Sequence, residues 1–236
     1  SPLHGKDPDL HSADPEFPET EEGIMADRWC ALLLRTSHNK ERDNMLWNIS
    51  GSFFYAFASM VLSFLVMRII GKEQGGIFSF GFSTIGQQMF ILAYFGIRPF
   101  QVTDGNDYLH HRYVTCALAL AAGGVWLLVS GYTIEKAAVI FLLVCYKVID
   151  GFADVYESEF QRNGNLHLTG KSNTFRTILT VGTFLIVLTI TRNLLTACAA
   201  AAAAQAAGVL IFDQVVIRRL SGVDFAWDKE KLWTLT

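Results

Sequence analysis

Charge is scarce in this chain. Only 17% of its 236 residues are Asp, Glu, Lys or Arg, against about 25% in soluble domains. What charge there is lies unevenly: residues 1–28 hold eight acids and four of the five prolines. The remaining body is therefore poorer still in charge, nearly free of proline and mildly basic. Such a composition excludes a nucleic-acid-binding protein, which needs clustered bases to neutralise phosphates, and it excludes a coiled coil. Cysteine is equally sparse. Cys30, Cys116, Cys145 and Cys198 lie far apart, with no Cys-x-x-Cys pair and no Cys/His cluster. That removes a disulfide framework and a zinc site. No Ser/His/Asp set, phosphate-binding glycine loop or metal-ligand spacing is present either.

What the chain has is apolar length. Hydrophobic residues make up 51%, with 18 Phe. About 20 apolar residues cross a hydrocarbon core of about 30 Å. Six stretches meet or approach that length: 47–70, 76–97, 113–131, 137–156, 174–191 and 194–217. Runs this long are helices, because lipid offers the backbone no other hydrogen-bond partners. The fold class expected is an all-α, polytopic membrane bundle of six transmembrane helices, spanning 46–217. Residues 1–28 are too acidic and too poor in apolar side chains to order themselves. Residues 29–45 are too short to span and read as an interfacial amphipathic segment. Residues 218–236 read as a tail or linker.

Orientation follows from Lys and Arg in the connections. One side collects thirteen, among them Arg28, Arg35, Lys40, Arg42, Arg98, Arg112, Arg162, Lys171, Arg176 and Arg218; the other has only Arg68, Lys72, Lys136 and Arg192. Both chain ends, and two long polar loops at 98–112 and 157–173, are thereby expected on the cytoplasmic side of the cell membrane.

Ionisable groups at membrane depth mark sites by default. The fourth stretch carries Lys147, Asp150, Asp154 and Glu157. At 3.6 residues per turn they share one face. That face must look into a watery cavity or onto partner helices. Asp150 and Asp154 read as a proton or cation site with Lys147 offsetting one carboxylate; Glu157, at the membrane edge, reads as an interfacial acid. Asn48, Ser52, Ser59 and Ser63 line one side of the first stretch, and Ser83, Thr84, Gln87 and Gln88 gather in the second. They read as helix bridges, with lining a hydrophilic lumen as the alternative. Six alanines at 199–204 make the last stretch weakly hydrophobic and suit it to the bundle interior. Asp104, Asp107, His110 and His111 crowd the 98–112 loop, but adjacent histidines diverge on a helix, which argues against a metal.

The first two stretches resemble the opening helices of bacterial polysaccharide flippases in the multidrug/oligosaccharidyl-lipid/polysaccharide exporter superfamily. The likeness rests on Arg68 and Gly71, a Gly-Phe-Ser beginning to the second helix, and then Arg98, Gln101, Asp104, Tyr108 and Arg112. The segment around Asp150, Asp154, Tyr156, Glu157, Gln161 and Gly164 is similar to the end of the fourth helix there. The resemblance covers about residues 40–236. It implies translocation of a lipid-linked oligosaccharide, such as an O-antigen unit on undecaprenyl pyrophosphate, to the outer leaflet. It also implies a two-lobe transporter of which this chain is the N-terminal lobe, needing a C-terminal lobe or a second copy to rock against. The implied substrate-binding residues are Arg68, Arg98, Arg112, Lys147 and Arg176, since guanidinium grips phosphate better than ammonium. Asp150 and Asp154 would hold a coupling H+ or Na+. No other cofactor and no enzymatic activity is expected.

Rival readings stay open. A cation-coupled multidrug exporter of the same superfamily would have a more aromatic, more acidic site. A membrane-embedded phosphotransferase is weaker, because the Asp150-Gly151 pair lacks the Ala-Arg and the later aspartates of such motifs. A complete six-helix homodimer is the third.

Overall fold

A computed structural model describes residues 39–104 and 108–220. The expected tail 1–28, most of the interfacial segment, Asp107 and most of 218–236 lie outside the described residues, as does the side chain of Asp104. The described residues form helices joined by short turns, with no strand among them. In order they form α1 (Lys40–Ile70), α2 (72–94), the short α3 (Arg98–Asp104), α4 (Leu109–Val129), α5 (Ile134–Arg162), α6 (Leu166–Thr191) and α7 (194–220). Five of the long helices are apolar enough to cross a membrane: α1, α2 continued into α3, α4, α6 and α7. The fifth in chain order, α5, has the length, at 29 residues, but carries its charges along one face.

Local chemistry sets the boundaries. Asn39 caps α1, its side-chain oxygen accepting from the backbone N–H of Arg42 at 3.2 Å, with Glu41 and Asp43 in the first turn where the helix dipole favours acids. Residues 40–45 thus continue into the first span rather than lying flat before it. Asn193 caps α7 in the same way, accepting from Leu195 and Thr196. After α2 the chain turns through Phe95 in the left-handed region (φ 46°) and re-enters a helix at Arg98-Pro99, where proline suits a first turn. Neither long loop exists as expected. Residues 98–104 are helical, and 157–173 is the end of α5, a turn at 163–165 and the start of α6. Part of that stretch's polarity is buried on the inner sides of two helices: Ser158, His167, Thr169 and Ser172 face inward, while Gln161 and Asn163 at the turn are exposed.

α5 is the axis of the bundle and packs against α2, α3, α4, α6 and α7, while α1 lies along α6. The alanine-rich α7 does go inside: half of its apolar window is buried, against 11% for α1. Ala197, Cys198, Ala201 and Ala202 recur at helical spacing and meet Phe184 and Leu188 of α6 and Val139, Leu143 and Tyr146 of α5. Phe78 and Phe82 of α2 stack at 5.6 Å, and Phe82 meets Tyr146 at 5.8 Å. Outside, α1 presents Phe53, Phe57, Met60 and Phe64, the surface expected to meet acyl chains.

Two irregularities interrupt the helices. α2 passes through a π-helical stretch at Phe80–Ile85 and α7 through another at Val209–Gln214. Each adjoins a glycine whose missing side chain admits a basic residue. A Cβ on Gly86 would stand 3.0 Å from Cγ of Lys147, and one on Gly208 would stand 3.1 Å from Cγ of Arg176.

α1 and α6 touch backbone to backbone. A Cβ on Gly51 would lie 2.6 Å from the carbonyl oxygen of Gly170, and a Cβ on Gly170 would collide with the Trp47 carbonyl. Without a hydrophobic drive between helices in lipid, such close contact is a main source of association. Gly170→Val should therefore cost about 1–3 kcal/mol, as overpacking does. Gly182→Val, in the same helix with open space around it, should cost far less. Thermal unfolding of both variants in detergent checks this, and equal melting temperatures would contradict the close crossing.

Candidate functional site

The side chains of Lys147, Asp150, Asp154 and Glu157 follow one another along α5 at i+3 and i+4 intervals, so they form a single inward face. Every neighbouring helix answers them with a polar group. The result is a buried ionic cluster at the end of the bundle where α1 begins.

Arg176 of α6 is its hub. Nη1 donates to Oδ2 of Asp213 on α7 at 3.0 Å; Nη2 donates to Oε1 of Glu157 at 2.6 Å and to Oδ1 of Asn173 at 2.6 Å, and lies 3.7 Å from Oδ1 of Asp150. Ser172 donates to the other oxygen of Asp213 at 2.5 Å. Asp154 bridges two more arginines: Arg112 of α4 at 2.7 Å and Arg98 of α3 at 3.3 Å. Arg98 also reaches Glu157 at 3.2 Å. Arg112 is fully buried, and its Nη1 closes the end of α2 by donating to the carbonyls of Ala93 and Tyr94.

Lys147 behaves differently from expectation. Its ammonium donates to the Tyr55 hydroxyl at 2.8 Å and to Oε1 of Gln87 at 3.2 Å, and sits 4.2 Å over the Phe82 ring. Among the described residues no carboxylate pairs with it directly. Tyr55 relays the connection, donating to Oδ2 of Asp150 at 3.5 Å, while Gln205 of α7 donates to Oδ1 at 2.9 Å. The Oε1 atom of Gln205 is buried with no hydrogen-bond partner among the described residues.

Four bases (Arg98, Arg112, Lys147, Arg176) and four acids (Asp150, Asp154, Glu157, Asp213) thus share one region, and their formal charges cancel. Balance matters because an isolated charge at the bilayer centre costs at least about 2.5–3.5 kcal/mol. Beside them opens a cavity of about 220 Å³ lined by Ser52, Tyr55, Phe90, Tyr94, Arg98, Asp150, Asp154, Glu157 and Asn173. Tyr55 stands near the middle of α1, so this polar space reaches about half the depth of the bundle. Arg98 is the most accessible of the three arginines in the cluster, its side chain 25% exposed where Arg112 and Arg176 are buried.

Of the seven site residues expected from sequence, six gather here. Arg68 stands apart: it is exposed in the last turn of α1, about 20 Å along the helix axis from Tyr55. Glu157, expected at a solvated edge, is a buried partner of two arginines. Tyr55, Asn173, Ser172, Gln205 and Asp213 join the cluster beyond the residues expected from sequence. The signal for Asp213 was a lone acid late in the sixth apolar run facing a lone base, Arg176, early in the fifth. Ser83, Thr84 and Gln88, expected to bridge helices, are exposed on α2; only Gln87 of that group turns inward to a partner. Comparisons of the chain with family models, with curated proteins and with solved structures find no match.

The network has a mechanical consequence. Arg176→Gln leaves Asp213 buried without a guanidinium and Glu157 with Arg98 alone, a loss of about 3–5 kcal/mol. Arg98→Gln removes a partly exposed guanidinium and should cost markedly less. Thermal unfolding in detergent distinguishes them; similar destabilisation by both would contradict the hub.

Proposed function

We propose that this chain is one six-helix lobe of a membrane flippase that moves a lipid-linked oligosaccharide, carried on undecaprenyl pyrophosphate, across the cell membrane. In this reading α5 spans the bilayer as the sixth long helix, its charges shielded by the lobe. Both ends of the described chain face the cytoplasm, and a second lobe or second copy completes the pathway. The observation that carries the proposal is the neutral ionic cluster beside a polar cavity at membrane depth. Groups so costly in lipid persist where they serve a pathway.

The roles divide by accessibility. Arg98 lines the cavity, and its two carboxylate partners are ones a phosphate could displace, since guanidinium binds phosphate in the same two-pronged way. Arg112 and Arg176 are too enclosed to meet a head group in this conformation and act by holding Asp154, Glu157 and Asp213. Lys147 sets the position of Tyr55. Asp150 is the better candidate for the coupling H+ or Na+: it lines the cavity, and the orphaned oxygen of Gln205 and the hydroxyl of Tyr55 lie beside it. Asp154 is tied to two arginines and has less freedom to release them. Occupying Asp150 would weaken its hold on Gln205 and Tyr55 and so bias α7 and α1 against α5. Exposed Ser83, Thr84 and Gln88 at the middle of α2 favour a partner lobe, because lipid satisfies none of them.

A second reading draws on the same lining. Three acids and three aromatic rings against one accessible arginine would also suit a lipophilic cation, as in a cation-coupled multidrug exporter. Nothing comparable favours a phosphotransferase: among the described residues no three acids, histidines or cysteines converge as a metal site would require.

Asp150→Asn should abolish translocation with expression intact and lower the melting temperature less than Asp154→Asn, which frees Arg112 from its carboxylate. The measurement is restoration of surface polysaccharide in a flippase-deficient strain, run beside a drug-resistance assay. Normal polysaccharide with Asp150→Asn would overturn the coupling role, and drug resistance without polysaccharide would favour the second reading.

A further inference from the structure

The other end of the bundle holds a larger space that the proposed pathway does not use. α1 ends, α2 and α5 begin, and α6 turns into α7 around an open cleft of about 1070 Å³. Its floor is apolar: Ile69, Ile77, Phe80, Val139 and Leu194. Its polar wall carries Glu73 from α2, Glu135 and Lys136 from α5, and Arg192 from the α6–α7 corner.

These four charges differ from those of the ionic cluster. There every arginine has a carboxylate; here no salt bridge joins either acid to either base. Arg192 commits one nitrogen to the carbonyl of Ile69 at 2.9 Å, and Lys136 lies 4.1 Å over the Tyr132 ring. Two positive and two negative groups therefore face one space without neutralising each other. Balanced, separated charges of both signs complement a ligand that itself bears both signs.

We propose that this cavity binds the head group of a zwitterionic membrane phospholipid, phosphatidylethanolamine. The phosphate lies between Lys136 and Arg192, the ammonium donates to Glu73 and Glu135, and the acyl chains leave along the apolar floor past Phe80, which is partly exposed to the surrounding lipid. The ammonium specifies ethanolamine over choline. A primary ammonium has three protons for carboxylates, whereas a quaternary one has none and calls for an aromatic cage; among the described residues Phe80 is the only ring in the lining. The location points to the bilayer rather than to a soluble phosphate ester, since helix ends and an apolar floor meet at a membrane boundary. The inference rests on the membrane-spanning reading alone and not on flippase activity.

The test is native mass spectrometry of the purified protein from mixed micelles containing equal amounts of phosphatidylethanolamine, phosphatidylcholine and phosphatidylglycerol, with inorganic phosphate as a separate arm. Phosphatidylethanolamine should be retained about tenfold over phosphatidylcholine, the equivalent of one charge-assisted hydrogen bond. Glu73→Gln with Glu135→Gln should abolish that preference while leaving phosphatidylglycerol retention intact; Lys136→Gln should weaken retention of both. All substituted positions lie outside the ionic cluster, and an unchanged melting temperature in lipid-free detergent verifies their fold. Equal retention of the three lipids, a preference unmoved by the carboxylate variants, or protection by inorganic phosphate alone would each overturn the proposal.

Discussion

Arg176 is the point on which the rest of the structure turns. A guanidinium enclosed by apolar helices needs compensation, and it takes it from three helices at once: Asp213 on α7, Glu157 and Asp150 on α5, Asn173 one turn back on α6. Each of those carboxylates was also costly alone. The arrangement becomes tolerable only when all are assembled, because a half-satisfied ionic network is worse than an apolar core. The same logic extends through Glu157 to Arg98 and through Asp154 to Arg112, until α3 and α4 are tied in. Apolar contact tells helices in lipid little about which neighbour to choose. The ion pairs supply that choice, fixing which helices neighbour α5 and at what height.

The two ends of the bundle have opposite electrostatic character. At one end eight ionised groups neutralise each other around a small space, and a visitor must displace an existing partner, most readily at Arg98. At the other end four ionised groups surround a space nearly five times larger and leave each other alone. The first arrangement suits a site whose occupancy alters the packing of helices. The second suits a ligand held without rearrangement, since nothing has to be broken to admit it.

Much of the helix content was legible in the sequence, because apolar length reports a span directly. The polar stretches were misjudged where they extend helices beyond the apolar runs. Residues 157–173 have the polarity of a loop, yet Ser158, His167, Thr169 and Ser172 turn that polarity inward, and hydropathy cannot distinguish a solvated face from a bonded one. The acidic face of α5 was legible too, because 3.6-residue spacing needs no tertiary knowledge. Its partners were not. Whether Lys147 meets Asp150 or Tyr55 depends on how α1 crosses α6 and α5, and that depends on Gly51 and Gly170, two small residues with no chemical signature. Arg68 stands at the other end of α1 from the six clustered residues, as its place late in the first apolar run already indicated.

The π-helical stretch at Val209–Gln214 binds the length of α7 to its chemistry. It contains Asp213, and the wider coil delivers that acid to Arg176 and Ser172. Removing a single residue from the alanine run ahead of it would swing everything downstream by about 100°, carrying the carboxylate off its partners. Substitutions along the alanine run can accumulate with little effect on register, whereas a one-codon deletion cannot. Drift in this helix is therefore constrained in length before it is constrained in composition.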